Sequence, residues 1–377
     1  MAQKKFMIVC GEASGEMHAA GLATALKKIN PDISLYGVGG ELLKNAGVQI
    51  FYDIKELGVI GLFDVLKKLP TFLALKKTIL KKIQMEKPSA IIFVDFSGFN
   101  LRLAKEINNR IPAIYYVSPQ VWASRRGRIQ TIKKYIRKMI VIFKFEEEFY
   151  RKYGIEADFV GHPLLDIVRP SMTKEEFIRS IGVNKDKTLI AILPGSRRQE
   201  IEKILPVMLK AAVLINGERP AQFIIAKSPL LETRIYNNAL KKAGNIDIKI
   251  TEGKTYDCLN IADFSLIASG TATLESAIMQ KPFAIIYKMG LLNYLLYRPQ
   301  IKIPYIGLVN IVAGKKIVPE LVQFKANPSQ IAKTTLNFLN KPSELEMMKT
   351  RLAQVKSLLG QPGASSRAAQ IIIDLIR

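Results

Sequence analysis

The strongest constraint on the fold is an alternation that runs twice along the chain. Short apolar runs rich in β-formers are each followed by a longer stretch of helical periodicity, the pattern of βα units around a parallel sheet. In the first half the strand-like runs are Phe6–Cys10, Ile33–Val38, Ala90–Phe96, Ala113–Val117 and Met139–Phe143. Helical stretches such as Glu16–Ile29 and Phe99–Arg110 lie between them. The rhythm pauses at Gly161-His162-Pro163 and around 184–187, then restarts with Thr188–Leu193, Gln222–Ala226, Phe264–Ala268 and Phe283–Tyr287. From Pro342 to Arg377 only helix is expected. In a chain of 377 residues, enough for two or three domains, the economical arrangement is α/β: two doubly wound, Rossmann-like domains facing across a cleft.

Composition narrows the classes. Hydrophobic residues at 49% and charged residues at 23% exclude a mainly disordered chain. Cys10 and Cys258 lie in apolar runs without a nearby thiol or histidine, which argues against a disulfide framework or a Cys/His zinc site and favours a reducing cytoplasm. His18 and His162 are the only histidines, too few for a multi-histidine metal site. No run approaches the roughly 18 apolar residues of a membrane-crossing helix, and the apolar run 6–10 is too short for a signal peptide. Charge is the unusual quantity: 56 Lys and Arg against 32 Asp and Glu give +24. That field suits the phosphates of a nucleic acid, an anionic membrane surface or a phosphorylated substrate. A lysine-rich coding bias on solvated surfaces explains much of the excess equally well.

Three loops join a strand-like run to a helix, the setting in which backbone amides meet an anion. Gly11-Glu12-Ala13-Ser14-Gly15-Glu16 follows the first strand. It is not G-x-G-x-x-G, and a plain tight turn would need the same glycines. Glu16 is either a base or a first-turn acid matched to the helix dipole. Leu193-Pro194-Gly195-Ser196-Arg197 opens the second half; Gly195 and Ser196 offer unhindered amides and Arg197 a fork of donors suited to diphosphate. In Ala268–Glu275, the small residues Ser269, Gly270 and Thr271 expose a helix start, and Glu275 is spaced to accept both hydroxyls of a ribose. Two such loops in one domain point to a nucleoside diphosphate. Asp95 ends an apolar strand, where a carboxylate is costly unless it caps, pairs or reacts. Helix capping and general-base catalysis are its two readings. No D-x-D triplet occurs, which removes the simplest metal–diphosphate site, so no metal or other cofactor is expected. Glu146-Glu147-Glu148 reads as a solvated helix face.

Taken in order, Gly11–Gly15, Gly37-Val38-Gly39-Gly40, Val117-Ser118-Pro119 with Val121-Trp122-Ala123, Gly161-His162-Pro163, Leu193–Arg197, Ala268–Glu275, Asn310 with Ala313-Gly314, and Val318-Pro319-Glu320-Leu321 resemble the lipid A disaccharide synthase family. These are inverting glycosyltransferases of the two-Rossmann GT-B type, and the resemblance runs from about residue 6 to residue 323. It implies transfer of 2,3-diacylglucosamine from UDP-2,3-diacylglucosamine to 2,3-diacylglucosamine 1-phosphate (lipid X), making a β-1,6 linkage and releasing UDP. It also implies Asp95 as catalytic base with Glu16 as the alternative. Gly195, Ser196, Arg197, Ser269, Gly270, Thr271, Glu275 and Asn310 would meet the donor, and Ser14, Gly15 and Asn100 the acceptor. The implied domains are 1–165 for acceptor and lipid, 166–345 for the UDP-sugar, and 346–377 as C-terminal helices able to pack back on the first domain. The chain departs from the family at Glu16 (usually Asp), Ser97-Gly98 (Pro-Asp), Ser124 (Trp), Lys288 (Arg) and Val309 (Pro).

Val59–Ile83 interleaves apolar clusters with Lys67-Lys68, Lys76-Lys77 and Lys81-Lys82, and Pro70 interrupts any single long helix. Helices packed on a sheet with lysines in solvent would look like this, as would a basic amphipathic face on anionic lipid. The family's acylated substrates favour the second reading, with Phe63, Val65, Leu66, Leu69, Phe72 and Leu73 as contacts. The implied location is cytoplasmic, peripheral on the anionic inner face of the inner membrane of a Gram-negative-type bacterium, with the oligomeric state open. A second basic cluster, Arg125, Arg126, Arg128, Lys133, Lys134, Arg137 and Lys138, suits an acceptor phosphate, lipid headgroups or a solvated face. Rival readings are another GT-B enzyme, such as the peptidoglycan glucosaminyltransferase, and a basic nucleic-acid- or membrane-binding protein without catalysis. The latter lacks any RNP, KH, zinc-knuckle or helix-turn-helix signature, so no nucleic-acid partner is expected.

Overall fold

Strands buried on both faces are continuous apolar runs, and Phe6-Met7-Ile8-Val9 and Ala90-Ile91-Ile92-Phe93-Val94 are each wholly inaccessible to solvent in the computed structural model. The structure describes residues 4–57, 69–229, 231–241, 244, 246–297 and 303–376. They divide into two units, one of residues 4–166 with 359–376, the other of 167–297 with 303–358.

In the first unit, β1 (Lys5–Val9), β2 (Ser34–Gly39), β3 (Gln49–Asp53), β4 (Ala90–Val94), β5 (Ala113–Tyr116), β6 (Lys138–Val141) and β7 (Ala157–Phe159) form a parallel sheet ordered β3-β2-β1-β4-β5-β6-β7. The order reverses between β1 and β4, where Val9 lies opposite Phe93. Helices Ala13–Ile29, Leu69–Glu86, Ser97–Ile107, Arg128–Tyr135 and Lys144–Arg151 belong to this unit. The C-terminal helix Ala364–Leu375 packs on Ala13–Ile29 so closely that a Cβ on Gly21 would lie 2.9 Å from Ser365 Oγ.

In the second unit, β8 (Thr188–Leu193), β9 (Ala221–Lys227), β10 (Ile248–Glu252), β11 (Phe264–Ala268), β12 (Phe283–Tyr287) and β13 (Glu320–Val322) form a parallel sheet ordered β10-β9-β8-β11-β12-β13. Its order reverses between β8 and β11, with Leu193 opposite Ile267. Helix Pro342–Leu358 packs within this unit, so the helical tail is divided between the two units. Among the described residues, no helix is long and apolar enough to cross a membrane.

Candidate active site

In open α/β sheets ligands bind beyond the carboxyl ends of the strands where the order reverses. The loops at Gly11 and Asp95 follow β1 and β4, and those at Gly195 and Ser269 follow β8 and β11. All four sequence motifs therefore leave their sheets at the two reversal points.

In the first unit, Asp95 sits beside the glycine loop. A Cβ on Gly15 would lie 3.2 Å from Asp95 Cβ, and one on Gly11 would run into the Phe96 ring. Burial first, then the charges of Glu16 and Asp95, push the Cys10 thiol up, so both carboxylates act on the end of β1. Strand β4 was expected to continue to Phe96. It stops at Val94 because Asp95 (φ +50°) and Phe96 (φ +48°) turn into the left-handed region. Ser14 is half-buried on the first turn of its helix.

Two of the expected site residues bond to the protein's own backbone. Glu16 is buried, and its Oε1 accepts from the backbone N–H groups of Leu42 (2.8 Å) and Leu43 (3.2 Å). Through Oε1 it caps the helix Glu41–Asn45, the helix-capping role of an acid that its reading as the alternative base did not include. Asn100 is fully buried; its Nδ2 donates to the carbonyls of Asp95 (2.9 Å) and Val9 (3.4 Å). It holds the loop and is not exposed to an acceptor.

The basic loop after β5 comes to the same place. Arg128 donates to Ser97 Oγ at 2.9 Å, two residues beyond Asp95. Lys138 instead faces Asp158 at 2.9 Å and Glu156 at 3.4 Å, which takes it out of the expected acid-free cluster. His18 and His162 meet edge to face at 5.8 Å between centroids, and burial pushes both below their ordinary range, His18 to about 4.

In the second unit, Gly195 adopts φ +113°, and a side chain there would collide with Glu200. The Ser196 and Arg197 amides donate to Glu200 Oε2 at 3.0 and 3.2 Å, and the Arg197 guanidinium stands 3.7 Å from Oε1. The turn thus presents an amide pair already matched to a carboxylate, an anion of the kind such amides favour. Beyond β11, Ser269 Oγ donates to the Ile306 carbonyl (3.1 Å), Gly270 is exposed, and Thr271 opens the helix Ala272–Ile278. Burial, partly offset by a 3.4 Å bond from Tyr256, raises the Glu275 carboxyl to about 7.

Asn310 departs from its expected contact with the donor. It is wholly buried; its Oδ1 accepts from Ile317 N (2.8 Å) and Val318 N (3.1 Å), while its Nδ2 donates to Val318 O (3.0 Å) and Glu320 Oε1 (2.8 Å). Every polar position of the amide is spent on the protein. Glu320 in turn accepts from Ile306 N and Gly307 N, so the pair shapes the loop that receives Ser269.

Of the expected membrane contacts, Phe63, Val65 and Leu66 lie outside the described residues. Leu69 and Leu73 are 45% and 51% exposed, whereas Phe72 turns inward against Phe96 (6.0 Å) and Phe99 (6.1 Å). Helical phase explains the division: Phe72 shares a face with buried Leu75 and Ile79, three and seven residues on.

Sequence reasoning missed three residues. Tyr115 Oη donates to the Asp95 carbonyl at 2.5 Å. Glu200 fills the amide pair at Ser196. Glu146 was assigned to a solvated face, yet it is only 1% exposed and bonded to Ser118 and Trp122. Its one sequence signal is the i, i+4 phase with Tyr150, which is also buried.

Over residues 6–373 the chain matches the family described as Lipid-A-disaccharide synthetase. It is 42% identical to the lipid-A-disaccharide synthase of Syntrophus aciditrophicus (strain SB), covering 100% of this chain and 99% of that one. It is 37% identical to that of Myxococcus xanthus (strain DK1622), covering 99% and 97%. Among solved structures, the S. aureus MnaA–UDP co-structure shares the fold, with a TM-score of 0.66, 16% identity, and 99% and 97% of the two chains covered.

Proposed function

Since the chain belongs to the lipid-A-disaccharide synthase family, GT-B glycosyltransferases of lipid A biosynthesis, we propose that its donor is UDP-2,3-diacylglucosamine and its acceptor 2,3-diacylglucosamine 1-phosphate. The observation that supports this reading is the position of the four motif loops at the two sheet reversals, β1/β4 and β8/β11. The first unit serves the acceptor. Asp95 takes the proton of the acceptor's 6-hydroxyl as that oxygen bonds to the donor's anomeric carbon. The bond from that carbon to the diphosphate oxygen breaks, and UDP leaves with the electron pair.

The second unit serves the donor. Arg197 and the amides of Gly195, Gly270 and Thr271 stabilise the departing diphosphate, a preorganised electrostatic contribution that needs no metal. Glu275 holds the ribose. The exposed Leu69 and Leu73, with Lys77 and Lys81 exposed further along the same helix, fit an anionic membrane surface that delivers the acylated substrates.

Incubation with the two substrates, with UDP and the tetraacyl disaccharide 1-phosphate as readouts, tests the reading. Release of UDP without disaccharide, or turnover only with a non-acylated acceptor, would overturn it.

A further inference from the structure

Two consecutive non-glycine residues in the left-handed region form an unusual piece of backbone, and it carries the proposed base. Asp95 and Phe96, at φ +50° and +48°, lie between the last residue of β4 and the first of the helix Ser97–Ile107. Such strain persists only where the surroundings over-determine it.

Two sets of contacts do so here. At Asp95 the main-chain carbonyl accepts from two donors at once, Tyr115 Oη at 2.5 Å and Asn100 Nδ2 at 2.9 Å. Tyr115 comes from β5, in register with Phe93 of β4, and is fully buried. Burial, then the charge of Asp95, holds its phenol protonated, so it remains a donor. At Phe96 the ring lies against Gly11, stacks on Phe99 at 5.2 Å and meets Phe72 at 6.0 Å.

The packing at Phe96 orders the turn, but the two hydrogen bonds fix the orientation of the peptide unit that begins at Asp95 Cα. Rotation of that unit changes the direction in which the Asp95 side chain leaves the backbone beside Gly15, where a Cβ would lie 3.2 Å from Asp95 Cβ. We propose that Tyr115, together with Asn100, is a positioning residue that clamps the strained Asp95 peptide and so aims the Asp95 carboxylate. This rests on the reading of Asp95 as the base.

Tyr115→Phe tests the clamp, since it keeps the ring and removes only the hydroxyl. A misplacement of about 1 Å in a reacting group costs on the order of 10²-fold in rate. The single-turnover rate at saturating substrates is therefore expected to fall about 10- to 100-fold, with the KM for the UDP-sugar and the affinity for UDP within twofold. Phe93→Leu is the packing control. It disturbs the ring that meets Tyr115 at 5.9 Å and leaves the hydroxyl alone, so it should lower the melting temperature and keep the rate within about threefold. A Tyr115→Phe enzyme at the parent rate overturns the clamp. So does a fall in rate that Phe93→Leu reproduces at equal loss of melting temperature, because the effect is then structural. Asp95→Asn, measured alongside, separates the two readings. If it retains activity, the base assignment has failed and the clamp falls with it; if it is inactive while Tyr115→Phe is unimpaired, only the clamp has failed.

Discussion

The indole Nε1 of Trp122 donates to Glu146 Oε1 across 3.0 Å, in a position where the carboxyl has almost no access to solvent. Ser118 Oγ shares the same oxygen at 2.6 Å, and Phe143 N reaches Oε2 at 3.3 Å. Burial outweighs these bonds and raises the carboxyl from 4.5 to about 7. The loop after β5, which begins with Val117 at φ +61° and leads on to Arg128, thus rests on one buried acid.

Trp122 is the chain's only tryptophan, so its fluorescence reports that acid directly. Emission of the folded protein should titrate with a midpoint near pH 7 and should be flat from pH 5.5 to 8.5 in Glu146→Gln. Folding raises this pKa, so the folded state holds more protons than the unfolded one between pH 4.5 and 7. Stability contributed by the group is full below that window and falls as pH rises through it, by about 3 kcal/mol in all. Urea melts of parent and Glu146→Gln should diverge with that sign. Identical pH profiles for the two proteins would refute the buried-acid account.

Asp95→Asn should lower turnover by roughly 10²–10⁴-fold, the usual contribution of a general base. UDP affinity, measured by calorimetry, should stay within a few-fold because the loops proposed to hold the donor belong to the other unit. Turnover near the parent rate would remove Asp95 from the mechanism. Glu16→Gln is then the next variant to measure, although Oε1 of Glu16 already accepts from Leu42 N and Leu43 N.

Arg197→Ala should cost about 10²–10³-fold in kcat, the scale of losing one preorganised donor to developing charge. Excess EDTA should leave the parent rate unchanged. A loss of activity in EDTA restored by Mg²⁺ would show that a cation, and not Arg197 with the loop amides, neutralises the diphosphate.

Asn310→Ala separates a structural amide from a ligand contact. The substitution strands Ile317 N, Val318 N, Val318 O and one bond of Glu320. Buried groups left without partners cost about 1–3 kcal/mol each, so a melting temperature lowered by several degrees is expected. A stable variant with a raised KM for the UDP-sugar would restore Asn310 to the donor.

How far these features were legible follows from what each depends on. Interior strands such as β1, β4, β8 and β11 announce themselves because both faces are covered and, apart from Lys5, Thr188 and Ser265, every residue is apolar. The four strands missed, β3, β7, β10 and β13, are the outer strands of the two sheets. Each has a single strand neighbour, and Gln49, Asp158, Lys249 or Glu320 breaks its apolar pattern. The loops at Gly11, Gly195 and Ser269 were visible because strand, small residue and helix are contiguous. Tyr115 with Asp95, and Glu146 with Trp122, are joined only by the adjacency of strands and helices 20 or more positions apart. No local pattern marks a tyrosine in an apolar run as a donor to a carbonyl on the next strand.

The helix Leu69–Glu86 lets the membrane reading be tested without confusing surface and core. Leu69 and Leu73, four residues apart on its outer face, are half exposed. Leu69→Ser/Leu73→Ser should therefore leave the melting temperature within a few degrees of the parent. It should weaken sedimentation with anionic vesicles and raise the KM for the lipid acceptor more than that for the UDP-sugar. Phe72 lies between them in sequence but packs on Phe96 and Phe99 beneath the Asp95 turn. Phe72→Ser should open a cavity, at a cost of about 2–4 kcal/mol for a partly buried ring, and destabilise the first unit. Lys77→Ala and Lys81→Ala act through charge alone: each should reduce anionic-vesicle binding by about 1 kcal/mol and flatten its dependence on salt. If the leucine pair unfolds the protein, or leaves vesicle binding at the parent level, the outer face of this helix is not a lipid contact. Binding equal on neutral and anionic vesicles would strip the lysines of their role while leaving that of the leucines.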